Sequence, residues 1–349
     1  MARPPEPIAP EPIAPEPIPP EPIPIVLVSG FLGSGKTTFL NRLMARAGWR
    51  DTVFVVNEFG AVGVDQNALP RQSGTYLLRD GCMCCAHSGS VAGTLRTVLR
   101  EAQRLDRKVA RVVIETSGVA LPGQIVESLL ADPVVRSLFY VATVLSVVDA
   151  TQIADQLERY DEVGAQIAAA DAVYVSKTDL PGTALAVLRP AIAALNPFCR
   201  VLSGDAWPLS DGWLEARNDI RAMRQGNLRD LPAGAHGRAF DSFHIPVPSG
   251  VPMARLSEFT DAVTYLLGDR ILRAKGFVRV REHRRWVLVN IVRRTLYPPV
   301  FSDAALAPGE SGLVFIVEDL DRDTVAEFLS LALRPEGPAQ ADRQEAAHV

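Results

Sequence analysis

The octapeptide Gly30-Phe31-Leu32-Gly33-Ser34-Gly35-Lys36-Thr37 lies between a short apolar run, Ile25-Val26-Leu27-Val28, and a segment carrying Phe39, Leu40, Leu43 and Met44 at helical spacing. It fits G-x-x-x-x-G-K-[ST] at every position, and its flanks are the strand and the helix that this pattern requires. Glycines let a chain turn successive N–H groups inward around phosphate oxygens, and the N-terminus of the following helix adds partial positive charge. The phosphate-binding candidates are Gly30, Gly33, Ser34, Gly35, Lys36, Thr37 and Thr38. Lys36 is expected on the β- and γ-phosphates and the Thr37 hydroxyl on Mg²⁺.

Such a loop belongs to an α/β fold, and the pattern downstream agrees. Apolar runs at 52–56, 111–114, 141–148 and 172–175 read as buried strands. Helical spacing occupies 36–47, 90–103, 124–130, 151–169 and 184–195. Alternation of this kind predicts a P-loop NTPase domain over 25–205 with a doubly wound, mainly parallel sheet. Residues 206–240 read as a polar connection with a helix candidate at 213–224. Strands at 243–247, 271–280, 286–292 and 313–318, with helices at 253–267 and 324–333, predict a smaller α+β domain over 241–334. Its helices are expected on one face of an antiparallel sheet. The unit Glu-Pro-Ile-(Ala/Pro)-Pro recurs from Glu6, Glu11, Glu16 and Glu21. Residues 1–24 are therefore expected to be a stiff, disordered leader, with a docking arm as the alternative. Residues 335–349 read as a disordered tail.

Composition narrows the partners. The chain has 349 residues, 48% of them hydrophobic, and a net charge of −4. That balance gives no basis for nucleic-acid binding or attraction to an acidic membrane surface. No run approaches the roughly 18 apolar residues of a membrane span, and no signal peptide opens the chain. Four cysteines in this length are no disulfide framework, which suits a reducing, cytoplasmic setting.

Two further segments complete a nucleotide site. In Val112-Val113-Ile114-Glu115-Thr116-Ser117-Gly118, Glu115 ends a strand, where a carboxylate can hold Mg²⁺. Gly118 is placed to offer its N–H to a γ-phosphate. Lys36, Thr37 and Glu115 are thus the catalytic candidates. Ser176-Lys177-Thr178-Asp179 follows another strand. An aspartate there can accept from guanine N1–H and the 2-amino group, which adenine lacks, while the Lys177 stem lies on the base. GTP is therefore favoured over ATP.

Three of the four cysteines fall together in Cys82-Met83-Cys84-Cys85. Cys82, Cys84 and Cys85 can supply thiolates to zinc or a softer transition metal. Thiol redox chemistry and plain burial are the alternatives. Water, His87, Glu58 or a partner's side chain are candidates for a fourth ligand. Asn57-Glu58-Phe59-Gly60 and Asp65 occupy the place of a first switch region, so Asn57, Glu58 and Asp65 are switch candidates. Cys199 stands alone and is expected in the core.

In order and spacing these segments resemble the CobW-type GTPases, also described as zinc-regulated GTPase metalloprotein activators. The Cys-x-Cys-Cys element between the two phosphate-binding elements carries the resemblance most specifically, and Arg273-Ala274-Lys275-Gly276-Phe277 looks like the signature strand of the family's C-terminal domain. The resemblance spans about 25–333. It implies low-activity GTP hydrolysis with Mg²⁺ and delivery of a metal, often zinc, to a client metalloprotein. It also implies that Cys82, Cys84 and Cys85 ligate that metal and that Asp179 reads guanine. Two departures stand out. Val56 and Ala61 flank the Asn-Glu-Phe-Gly element where many relatives carry acids, and no histidine-rich stretch follows. The leading expectation is a GTPase metallochaperone. The alternatives are a metal-sensing switch that docks partners without transfer, a cobalt or iron insertion factor for cobalamin synthesis or nitrile hydratase, and a nucleotide enzyme with structural thiols. Whether the chain acts alone or as a dimer stays open.

Overall fold

The computed structural model describes residues 22–45, 49, 51–57, 75–78, 91–181, 183, 185–204, 240–282, 285–302 and 311–333. The first unit contains strands β1 (Ile23–Ser29), β2 (Thr52–Asn57), β3 (Thr75–Leu78), β4 (Arg111–Glu115), β5 (Phe139–Asp149), β6 (Ala172–Ser176) and β7 (Arg200–Ser203). Between them lie helices α1 (Lys36–Met44), α2 (Val91–Arg104), α3 (Pro122–Ala131), α4 (Pro133–Leu138), α5 (Ile153–Arg159), α6 (Asp161–Ala169) and α7 (Leu185–Leu195). The strands run in the order β3-β2-β4-β1-β5-β6-β7, and every pairing is parallel.

Both faces of this sheet are covered, which is why its central strands are continuously apolar. Ile25 and Leu27 of β1 pack with Val112 and Ile114 of β4 toward α2 and α3. Val26 and Val28 face the other way, onto Phe39, Leu40 and Leu43 of α1. The strand order reverses around β1, whose neighbours are β4 and β5. Ligands of open α/β sheets bind beyond the carboxyl ends of the strands at such a reversal.

Several elements differ from the sequence reading. β1 starts at Ile23 and takes in Pro24, which pairs with Tyr140 of β5. The pairing with β4 begins only at Ile25, so the donor that proline lacks falls outside that ladder. The single helix expected over 151–169 is two. Tyr160 is extended (φ −132°, ψ 110°) and its N–H closes α5 on the Gln156 carbonyl. Its ring packs on Phe31 at 4.7 Å between centroids. Apolar spacing runs through the break because Ile153, Leu157, Val163 and Ile167 all face one cluster.

The second unit is a sheet of β8 (Phe240–Pro246), β9 (Ile271–Arg279), β10 (Trp286–Val292), β11 (Thr295–Leu296), β12 (Val300–Ser302) and β13 (Gly312–Glu318), with helices α8 (Met253–Leu266) and α9 (Arg322–Ala332). Its strands follow β11-β10-β9-β13-β8, all antiparallel, with β12 on β10. Phe259 and Val263 of α8 and Val325 and Leu329 of α9 cover one face, as expected. The opposite face meets the first unit, where Leu272 and Ile316 pack on Ala165 and Ala168 of α6. At the same junction Arg273, 1% exposed, donates to the Ala169 carbonyl at 2.8 Å and to the Asp171 carboxylate. Lys275 stands 3.5 Å from Asp171. Among the described residues no helix is long and apolar enough to cross a membrane.

Candidate nucleotide-binding site

The loops that follow β1, β4, β5 and β6 converge at one end of the sheet. In the first of them Gly30, Gly33 and Gly35 all take positive φ. At Gly30 the requirement is steric as well: a Cβ there would lie 2.2 Å from the Val147 carbonyl oxygen. The turn hands over to α1 with Gly35 at its N-cap, so the helix N-terminus points into the loop.

Lys36 is buried, and its ammonium donates to the Gly30 and Phe31 carbonyls at 2.8 and 3.1 Å. Thr37 donates to Glu115 Oε1 at 3.2 Å, which joins the start of α1 to the end of β4. Glu115 is 5% exposed, and among the described residues its Oε2 has no hydrogen-bond partner. Burial pushes the Glu115 carboxyl up, against the pull of Lys36 and the Thr37 hydrogen bond. Burial likewise lowers Lys36, against the attraction of Glu115. A hydroxyl set against a buried carboxylate with one unsatisfied oxygen suits a hard divalent cation such as Mg²⁺.

The segment after β4 packs back against β1 and the phosphate loop. Thr116 N–H donates to Val28 O at 2.9 Å. Gly118 is pressed on the phosphate loop, for a Cβ on it would lie 2.8 Å from Leu32 N. Beyond β6, the Ser176 hydroxyl sits 2.6 Å from Ser34 O and 3.0 Å from Val148 O, tying the segment after β6 to the phosphate loop. Lys177, in the left-handed region at φ 55°, sends its ammonium to Gly33 O at 3.0 Å and to the Asp149 carboxylate. Thr38, in α1, and Asp179, three residues past the end of β6, are exposed.

Lys36, Thr37, Glu115, Gly118, Ser176 and Lys177 are thus brought together. Asn57 ends β2, with its side chain outside the described residues. Glu58, Asp65, His87, Cys82, Cys84 and Cys85 also lie outside them. Among the described residues no three His, Cys, Asp or Glu side chains group as a metal site. Cys199 packs beside the core cluster of α7, and burial pushes its thiol up to about 12.

The sequence reading missed Asp149. It ends β5, is 1% exposed on its side chain, and accepts from Lys177 and from the N–H and hydroxyl of Thr151 at 2.8 and 2.6 Å. An acid closing an apolar strand is the same signal that marked Glu115. Gln166 was also missed. It lies at a buried position of α6 and gives no local signal.

Comparison with known proteins adds the lineage. Residues 24–202 match the family model "CobW/HypB/UreG, nucleotide-binding domain", and 240–333 match "Cobalamin synthesis protein cobW C-terminal domain". The zinc chaperone YjiA of Escherichia coli is 31% identical over 279 residues, covering 77% of this chain and 86% of YjiA. The zinc chaperone CobW of Pseudomonas aeruginosa is 28% identical over 350 residues, covering 88% and 91%. The crystal structure of the Zn(II)-bound YjiA GTPase of E. coli superposes with a TM-score of 0.65 over 90% of this chain and 99% of that one. At 22% identity that likeness speaks for the fold alone. By its family models and by the relative it matches over most of both lengths, the chain is a member of the CobW/HypB/UreG family.

Proposed function

We propose that this protein hydrolyses GTP and carries a transition metal, zinc foremost, to a client metalloprotein. The observation that carries the nucleotide half is the Thr37–Glu115 pair beside the buried Lys36, with Glu115 Oε2 left unpartnered among the described residues. Thr37 and Glu115 would hold Mg²⁺, which when bound supplies positive charge to the β- and γ-phosphates. In the reaction, water adds to the γ-phosphorus and the β–γ anhydride bond breaks, giving GDP and inorganic phosphate. Lys36 exchanges its carbonyl partners for phosphate oxygens and offsets their charge. The Gly118 N–H and the loop amides orient the γ-phosphoryl group, since phosphoryl transfer rests on positioning and charge neutralisation. Turnover is slow, as the family resemblance implies. Asp179 selects guanine.

The metal half rests on Cys82-Met83-Cys84-Cys85 and on the zinc chaperones that the chain resembles over most of its length. Three thiolates leave one position of a tetrahedral site for exchange. A reducing compartment such as the cytoplasm keeps those thiols available. GTP turnover moves metal only where the two nucleotide states bind it with different affinity. Zinc titrations in the presence of GDP and of a non-hydrolysable GTP analogue test this, and equal affinities would remove the coupling. Competition by ATP at parity with GTP would remove the guanine reading. Zinc retained in the presence of an apo-client would remove delivery.

A further inference from the structure

Helix α6 stands between the nucleotide site and the second domain, and one of its side chains reaches the γ-phosphate segment. Gln166 is 1% exposed, and its amide nitrogen donates to Gly118 O at 2.9 Å and to Ala120 O at 3.1 Å. Both partners are carbonyls, so the amide must present its NH₂ group, with one hydrogen for each. The two bonds straddle a tight turn in which Ala120 N–H donates to Ser117 O at 3.1 Å. They hold the Gly118–Val119 and Ala120–Leu121 peptides, and the Ala120 N–H in turn holds the Ser117 carbonyl, whose peptide carries the Gly118 N–H.

The same helix is gripped from the other side. Ala165 and Ala168 pack on Leu272 of β9 and Ile316 of β13, and Leu121, the residue that follows the turn, joins that cluster. Gly164 has room only for a hydrogen, since a Cβ would lie 2.6 Å from the Phe240 ring. Arg273 of β9 holds the Ala169 carbonyl at the helix end. The turn at 118–120 is thereby anchored twice, by Gln166 and by Leu121, to a helix whose seat is built by the second domain.

We infer that Gln166 is a positioning residue for the nucleotide reaction. It holds the Gly118–Ala120 turn against the phosphate loop and links that turn, through α6, to the packing of the C-terminal sheet. In the pose it secures, Gly118 lies on Leu32 of the loop, and the nucleotide reading puts its N–H at a terminal phosphate. Only a nucleotide with a γ-phosphate uses that N–H. Loss of Gln166 therefore weakens binding of a triphosphate and spares a diphosphate. The inference rests on the nucleotide reading given above.

The test uses the full chain with two variants. Gln166→Glu keeps the shape and turns an acceptor toward two carbonyls, and Gln166→Met keeps the length and removes the donor. GDP and a non-hydrolysable GTP analogue are titrated against each. The expected result is analogue affinity reduced roughly tenfold with GDP affinity changed by less than about twofold, the scale set by losing hydrogen bonds to buried carbonyls. An unchanged ratio of the two affinities, or a rise for the analogue, overturns the inference. Loss of both nucleotides alike in both variants would assign Gln166 to folding and overturn it too. If the wild-type chain binds neither nucleotide, the nucleotide reading itself falls and this inference with it.

Discussion

Lys177 reaches from the loop after β6 to Asp149 at the end of β5, and the same ammonium donates to Gly33 O in the phosphate loop at 3.0 Å. One cation thus joins three loops on three strands. Burial alone would raise the Asp149 carboxyl, but the Lys177 and Thr151 donors hold it below the usual carboxylate range. The carboxylate is charged at neutral pH and sets where Lys177 lies. On the proposed guanine reading a base rests on the Lys177 stem, and Asp149 would then act on nucleotide binding through its partner.

Asp149→Ala frees Lys177 and the Thr151 turn without touching the groups placed at the γ-phosphate. The expected outcome is a KM for GTP raised about tenfold with kcat within about twofold, the pattern of lost uniform binding. Steady-state hydrolysis assays read both constants. A fall in kcat at unchanged KM would show that Asp149 serves the chemical step instead.

Glu115→Gln keeps volume and removes the charge assigned to Mg²⁺. Turnover is expected to fall on the order of 10²-fold, the scale seen when one preorganised charge or donor at a reacting phosphoryl or acyl group is lost. Thermal stability should hold or rise, because burial pushes the Glu115 carboxyl up and its charged form is the costly one. A melting scan beside the activity assay separates the effects. Lost activity accompanied by a lower Tm would point to a folding role.

The phosphate loop, Glu115 and the Ser176–Lys177–Asp179 segment were legible because each is a contiguous pattern at a strand end. So were β1, β2, β4, β5 and β6, since parallel strands buried on both faces read as unbroken apolar runs. β3, β7 and α4 were not. They span 4, 4 and 6 residues, too short for a period to declare itself. The break at Tyr160 was hidden because α5 and α6 turn their apolar residues to one cluster. Asp149 carried the strand-end signal and Arg273 stood in the signature strand, yet the pairings of Asp149, Gln166 and Arg273 escaped for another reason. Their partners lie 28, 48 and 102 residues away in the chain, and no local pattern encodes such a pairing. Cys82, Cys84 and Cys85 are the reverse case, plain in the sequence and outside the described residues.

Cys199 is the one cysteine among the described residues. Burial pushes it up to about 12, so it stays a thiol across the working range of alkylating and disulfide reagents. In a chain carrying Cys82→Ser, Cys84→Ser and Cys85→Ser, titration with an aromatic disulfide at pH 8 should find no fast-reacting thiol before denaturation and one equivalent after it. A fast equivalent in the native chain would mean that the α7–β7 corner opens readily.

The ion pair at the domain junction makes the last prediction. Burial would raise Asp171, yet Arg273 and Lys275 beside it, with the Val144 N–H at 3.0 Å, hold it well below the ordinary carboxylate range. Arg273 is buried and has much of its charge answered there. Asp171→Asn removes that answer and should cost about 3 kcal/mol at neutral pH, as breaking one side of a buried pair does. The sign of the pH dependence follows from the lowered native value. Above the unfolded carboxyl pKa of about 3.9 both states are ionised and the contribution is complete. As pH falls through that value toward the native one, the unfolded chain takes up the proton first and the wild type loses the contribution. The variant has no such group, so the Tm gap between the two should be wide and flat above pH about 5 and should close on acidification. A gap that persisted unchanged at about pH 3.5 would mean that the Asp171→Asn substitution costs stability through packing, and that Asp171 does not hold the two domains together by charge.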